Sequence, residues 1–303
     1  MQHLTIGVFG NKEFAKKLGK QGNVNDIAMY SHADSERVYT YVVPNSVDNK
    51  IQTLLQCISM VDVPVIVTEE VTKELAEQIV ALDAFSFERG FVISKNESIK
   101  QILIGTTLEK FEWLQDEKEL IEKLKDIQSP GIANDVWIPI DNYFNVKSVG
   151  TVVLCVVKAG DVKKHDKLMI QPLGKEVLVK SLQSQDKDID EAGQGVRLGL
   201  SLKGVEADEI KRGFVLCREA KVSKNIIIEF RKSKFSKEAI EEGSQVFVSV
   251  GLQVVVGKVE KIDSDKISLA LEQPIAYFSK QKCVIASTKQ NMPRIIGSGG
   301  ISQ

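Results

Sequence analysis

Near residue 130 the pattern of the sequence changes, and the change divides the chain. Before it, short apolar runs alternate with amphipathic stretches. Residues 4–9 form an apolar run that ends at Gly10, and 37–43 (RVYTYVV) form a β-branched, aromatic run that stops at Pro44-Asn45. Residues 63–68 (VPVIVT), 91–93 and 102–104 read as further buried strands. Between them Ile51, Leu54, Leu55 and Ile58 recur at helical spacing behind Ser46 as a candidate cap. Leu75, Ile79 and Leu82 do the same behind Thr72, and Leu120, Leu124 and Ile127 mark a third helix over 116–127. Strands alternating with helices of this length predict a parallel sheet covered on both faces.

Ser129-Pro130-Gly131 interrupts that pattern. Beyond it, 152–157, 167–170, 177–182, 196–202, 215–216 and 226–230 read as short strands. Gly160-Asp161, Gly193-Gln194-Gly195, Gly204 and Arg212-Gly213 punctuate them. Many short strands without long helices predict β-barrels or sandwiches. A second boundary near 220–225 completes the expected organisation: an α/β domain over 1–130, one β-barrel over 131–220 and another over 221–303. On this division residues 136–297 are expected to fold after a cut near Gly131.

Hydrophobic residues at 43% and charged ones at 27% are enough to fill such cores. A formal net charge of −1 excludes a molecule-wide field for nucleic acid, so any basic surface is local, and DNA is not an expected partner. Cys57, Cys155, Cys217 and Cys283 are far apart, and with His3, His32 and His165 they suggest no metal-ligand cluster. They read as reduced core residues, and the start MQHLTIG has no signal-peptide pattern, so a cytoplasmic location is expected. No apolar run approaches the roughly 18 residues of a membrane helix, and no membrane partner is expected.

The most specific motifs lie in the second half. Gly150-Thr151-Val152-Val153, then 156–162 (VVKAGDV) and Asp166-Lys167-Leu168, resemble the opening of the second domain of translational GTPases. Val179-Lys180-Ser181-Leu182-Gln183 resembles the V-K-S-I-Q strand of that barrel, 192–199 its A-G-x-x-V-G stretch, and 204–213 its closing R-G stretch. Pro293-Arg294-Ile295-Ile296-Gly297-Ser298-Gly299 resembles the last strand of the third domain in archaeal selenocysteine-specific factors. The likeness is strong from about residue 136 onward and weaker before it. It implies a chain of the elongation factor Tu and selenocysteine-factor kind, with a GTPase domain and two barrels that bind aminoacyl-tRNA. The RNA-reading fourth domain of selenocysteine factors has no counterpart before Gln303.

In the front half the layout resembles the family's GTPase domain, but its chemistry departs. A phosphate loop G-x-x-x-x-G-K-[ST] wraps phosphates with backbone N–H groups, its lysine reaches them, and its hydroxyl holds Mg²⁺. Here the loop reads Gly10-Asn11-Lys12-Glu13-Phe14-Ala15-Lys16-Lys17, with Ala15 for the second glycine and Lys17 for the metal-binding hydroxyl. Val43-Pro44-Asn45-Ser46 stands in place of D-x-P-G-H, without its aspartate, glycine or histidine. Ser94-Lys95-Asn96-Glu97 echoes the guanine-reading [NT]-K-x-D, and Gly105-Thr106-Thr107 replaces S-A-K. The expectation is a degenerate P-loop GTPase-like domain with no catalytic residue and no GTP hydrolysis. Gly10, Lys16, Ser94, Lys95 and Glu97 are the residual nucleotide-binding candidates, Lys16 also reading as a solvated lysine. No cofactor is expected, GTP being the one ligand these remnants would suit.

By the same resemblance, Asp166 and Arg197 correspond to an acidic turn and an arginine lining the aminoacyl pocket. The alternative is that Asp166 closes a turn and Arg197 faces solvent. Residues 221–237 hold six basic side chains, Lys221, Lys224, Arg231, Lys232, Lys234 and Lys237, against one acidic, Glu229. They suit contacts to a tRNA backbone, or else form a solvated face. The expected function is a translation elongation factor-like protein that binds aminoacyl-tRNA, or the ribosome and other translation components, without GTP hydrolysis. Two other readings stay open: a GTP-binding switch with a non-standard phosphate loop, and a non-enzymatic protein-binding scaffold.

Overall fold

The computed structural model describes residues 2–46, 48–128 and 135–302. The expected boundary at Ser129-Pro130-Gly131 lies outside them. The front part contains β1 (Gln2–Gly10), α1 (Glu13–Leu18), β2 (Lys20–Val24), β3 (Ile27–Ala33), β4 (Arg37–Pro44), α2 (Ile51–Met60), β5 (Val63–Val67) and α3 (Lys73–Phe85). It continues with β6 (Phe91–Ile93), α4 (Ser98–Leu103), β7 (Glu112–Leu114) and α5 (Glu117–Lys125). One seven-stranded sheet has the order β2-β3-β4-β1-β5-β6-β7. It is parallel from β4 to β7, and β2 and β3 add an antiparallel edge that the sequence reading missed.

Side-chain alternation explains the layering. On β1, Leu4, Ile6 and Val8 bury against Ala15 and Leu18 of α1 and Leu120 and Leu124 of α5. Phe9 points the other way, into a core with Leu54, Leu55 and Ile58 of α2 and Leu75, Ile79 and Leu82 of α3. The caps act locally: Thr72 accepts the Leu75 N–H, and Asp116 accepts those of Lys118 and Glu119. Two expectations change. Residues 102–104 are not a strand: Asn96 Oδ1 accepts the Ser98 N–H and α4 buries Ile99 and Leu103 at i, i+4. A three-residue apolar run carries no period that separates the two states. α2 starts at Ile51 without a side-chain cap, although Ser46 Oγ accepts the Lys50 N–H at 3.3 Å.

Two closed six-stranded barrels follow. The first is built from β8 (Trp137–Val146), β9 (Gly150–Val156), β11 (Lys167–Gln171), β12 (Lys175–Ser184), β15 (Arg197–Lys203) and β16 (Val215–Cys217). Short strands β10 (Val162–Lys163), β13 (Lys187–Ile189) and β14 (Glu191–Ala192) lie at its rim. The second runs β17 (Lys221–Lys232), β20 (Lys266–Tyr277), β19 (Gln253–Asp263), β18 (Gln245–Val250), β21 (Lys282–Ser287) and β22 (Ile295–Ile301). The four cysteines are buried, and burial raises each thiol, that of Cys217 to about 11. Among the described residues no helix is long and apolar enough to cross a membrane.

Each barrel encloses its own apolar core, but the front domain does not stand apart. Leu252, Val284, Ala286 and Ile295 of the second barrel are buried in the same cluster as α2 and α3. Gly213 makes the inter-barrel approach: at φ 94°, its missing Cβ would fall 2.7 Å from the Leu252 carbonyl oxygen. A fragment of residues 136–301 therefore bares an apolar face. We expect it to keep a β-rich circular-dichroism spectrum but to self-associate on size exclusion, as exposed apolar patches do. A monomeric fragment would show that the shared core is dispensable for the barrels' solubility.

Candidate functional site

In open α/β sheets ligands bind beyond the carboxyl ends of the strands. Here that edge is made by Gly10, Pro44, Thr68 and Ser94. Gly10 sits at φ 87°, where a Cβ would strike the Val67 carbonyl oxygen at 2.4 Å. Four of the N–H groups of this segment already have partners. That of Gly10 donates to Gln78 Oε1 at 2.8 Å and that of Asn11 to the Val67 carbonyl at 2.7 Å. Glu13 donates to Asn11 Oδ1 at 3.0 Å and Phe14 to the Asn11 carbonyl at 3.2 Å. Residues 13–18 are helical rather than wrapped as a loop, with Ala15 fully buried. The cavity lined by Pro44, Ser46, Lys50, Glu74 and Gln78 measures about 20 Å³, room for about one water.

Of the five nucleotide candidates, Gly10 and Ser94 lie on the carboxyl edge of the sheet and Lys16 lies on α1. Lys16 pairs with Glu13 at 2.7 Å on the exposed side of α1. Ser94 Oγ accepts the Asn96 N–H at 3.1 Å, and Glu97 faces Lys100 at 3.4 Å. Lys95 is exposed. Among the described residues no hydrogen bond or ion pair joins any two of the five. Asn96, which carries no role in the sequence reading, ties the segment down by donating to the Glu69 carbonyl at 3.0 Å.

Asp166 accepts the Lys163 N–H at 2.8 Å and so closes the turn before β11. Arg197 does not face solvent: its guanidinium forks onto Asp141, Nη1–Oδ2 2.6 Å and Nη2–Oδ1 2.9 Å. Its backbone N–H donates to His3 Nδ1 at 3.4 Å, which puts it at the junction with the front domain. Arg197 and Asp166 make no contact with each other among the described bonds. From Asp141 the network continues. The Asp141 carbonyl accepts from Arg212 Nε at 3.0 Å, and Arg212 forks onto Asp26 at 2.7 and 2.9 Å. That bond holds the Asp26 carboxyl below its usual range. Lys158 adds a buried pair to Asp62 at 2.9 Å, and Arg294 one to Glu77 at 2.5 Å. Bidentate pairs of this kind fix geometry as well as energy. Asp26, Asp62, Glu77, Asp141 and Arg212 are the residues that sequence reasoning missed as a set. Their partners lie up to 217 residues away, and the nearest signal was the Arg212-Gly213 motif.

All six basic candidates of the second barrel are exposed. Ile226 and Ile228 point inward on β17, so Arg231 faces out, whereas Lys221 pairs opposite Tyr277 at the far end of this twelve-residue strand. The structure therefore brings Arg231, Lys232 and Lys234 together and leaves Lys221 and Lys224 apart. Lys234 Nζ donates to the Ile104 carbonyl at 3.3 Å and thus reaches the front domain.

Comparison with known proteins agrees with this architecture. The family model for elongation factor Tu domain 2 matches residues 150–217, and that for the C-terminal part of initiation factor eIF2 gamma matches 221–301. The uncharacterized protein MJ0325 of Methanocaldococcus jannaschii is 37% identical over 309 residues, covering 99% of each chain. The selenocysteine-specific elongation factor of the same organism is 33% identical over 187 residues, which is 59% of this chain and 39% of that factor. Translation elongation factor SelB from Methanococcus maripaludis, solved with the GTP analogue GppNHp, superposes with a TM-score of 0.86 at 21% identity. That superposition covers 100% of this chain and 79% of SelB. The chain belongs to the family of MJ0325, and it is homologous in sequence to selenocysteine-specific translation elongation factors, whose fold it shares.

Proposed function

We propose that this chain is an elongation factor-like protein of the cytoplasm that binds tRNA, in its aminoacylated form, and does not hydrolyse GTP. The observation that carries the proposal is the contrast between its two halves. The barrels match translation-factor domains in sequence, while the sheet edge is bonded to itself through Gln78, Val67 and Asn11. A site with Lys17 at the metal position and no histidine to orient water lacks what phosphoryl transfer uses. The sheet edge then serves as structure, and recognition falls to the barrels. Basic side chains of the second barrel give the salt-dependent backbone contact, which carries no sequence information. The first barrel, with Asp166 and Arg197, supplies the discrimination between charged and uncharged ends.

With Mg²⁺ and GTP the pure protein is expected to release no phosphate above buffer. Turnover that disappears in Lys16→Ala would overturn this half of the reading. RNA that stays with the protein through low-salt purification is expected to be enriched in tRNA. Bound RNA with no such enrichment would count against the other half.

A further inference from the structure

The outer face of the second barrel, where it meets the front domain, carries a groove. Two cavities of about 350 and 330 Å³ lie along β22 and share Arg231 and Ser298 in their walls. β22 contributes a floor of Gly297, Ser298, Gly299 and Gly300. Register places Arg231 opposite Ser298 on one side and Lys282 opposite Gly300 on the other. Lys232 and Lys234 line the first cavity, and Lys280 the second. The carboxylates that face the groove are Asp83 and Glu229. Asp83 is already committed, accepting the Thr107 N–H at 2.7 Å.

Among the described residues none of these five cations has a carboxylate within ion-pair distance. Lys282 donates instead to Ser86 Oγ at 3.2 Å and Lys234 to a carbonyl. Burial, and to a lesser degree the charge of Arg231, pull the Lys282 ammonium below its usual value, while Asp83 acts the other way. Thr107 Oγ1 is buried at the wall of the first cavity with no hydrogen-bond partner among the described residues. Five cations without an ion-pair partner against two carboxylates, an unused hydroxyl and a floor without bulky side chains are complementary to a multiply charged anion with acceptor oxygens.

We propose that this groove is a phosphate-binding site that seats two or more adjacent phosphate groups. Arg231, Lys232 and Lys234 belong also to the basic set of the tRNA reading, whereas Lys280, Lys282 and Thr107 lie outside it, so the site is tested with a probe other than tRNA. The probe is tripolyphosphate, titrated calorimetrically against the full chain at fixed ionic strength. Arg231→Ala and Lys282→Ala are each expected to weaken it roughly tenfold, the effect of one lost charge-assisted contact. Thr107→Val is expected to weaken it severalfold without changing the thermal midpoint, whereas Lys187→Ala, on the rim of the first barrel, should leave the affinity unchanged. In a second arm an RNA duplex is added to the tripolyphosphate complex. Displacement identifies a nucleic-acid backbone as the phosphate source, and retention identifies a free phosphorylated ligand; both require the site. No binding at millimolar tripolyphosphate, or equal loss in Lys187→Ala and Arg231→Ala, would overturn the proposal even if tRNA still bound.

Discussion

Replacing Glu77 by alanine is expected to destabilise the folded chain by about 3–5 kcal/mol, the cost of leaving a buried charge without its partner. Glu77 and Arg294 are each only 4% exposed at the side chain, one on α3 and the other just before β22. Glu77 Oε1 accepts from both the backbone N–H and Nε of Arg294 at 2.9 Å, and Arg294 Nη2 also donates to the Asn49 carbonyl at 2.6 Å. Alanine removes every carboxylate acceptor and leaves a guanidinium inside the shared core. The double change Glu77→Leu with Arg294→Met should cost much less, because no charge is left stranded. What remains is the Arg294 backbone N–H without its acceptor, about 1–3 kcal/mol. Denaturant titrations of the two variants decide this. A loss under about 1 kcal/mol for Glu77→Ala would mean that water reaches the pair.

Acid is expected to weaken the fold through His3. Burial is the main reason its imidazole is held at about 4 against an ordinary 6.5. Between those values the unfolded chain takes up a proton that the folded chain refuses. Stability from this group is therefore complete above pH 6.5 and is lost as pH falls toward 4, with a slope approaching about 1.4 kcal/mol per unit and a total of about 3 kcal/mol. Protonation would also remove the Nδ1 acceptor used by the Arg197 N–H. His3→Gln offers an amide acceptor that does not titrate, so the difference between the two chains isolates the effect. Parallel stability curves from pH 7 to pH 4 would rule out the buried neutral imidazole.

Much of the architecture is legible in the sequence because its determinants are local. The apolar run of residues 4–9, the cap at Thr72 and the glycine turns of 150–213 each act within a few residues. The hairpin of β2 and β3 escaped because its polar segments Lys20-Gln21-Gly22 and Ser31-His32 blur the alternation. The joints between domains were not legible for a different reason. Asp26, Asp62 and Glu77 are ordinary acidic residues until folding brings Arg212, Lys158 and Arg294 to them from far along the chain. Arg197 enters the sequence reading only through the family resemblance, and its charge is met by Asp141, which no motif marks. The phosphate loop is legible as a departure from a motif, but that the Gly10 N–H closes on Gln78 is not.

The measurement that bears most directly on the proposed function is the affinity for one tRNA, charged and uncharged, at several salt concentrations, beside an unrelated RNA hairpin. Charged tRNA is expected to bind tightest and the hairpin weakest. Arg231→Ala should weaken all three RNAs alike and reduce the salt slope by about 0.7–0.9. Asp166→Asn, whose side-chain oxygen can still accept the Lys163 N–H, should instead narrow the gap between charged and uncharged tRNA and leave that slope nearly unchanged. Equal affinity for tRNA and hairpin, with no effect of charging, would contradict tRNA binding and leave the barrels as a protein-binding surface.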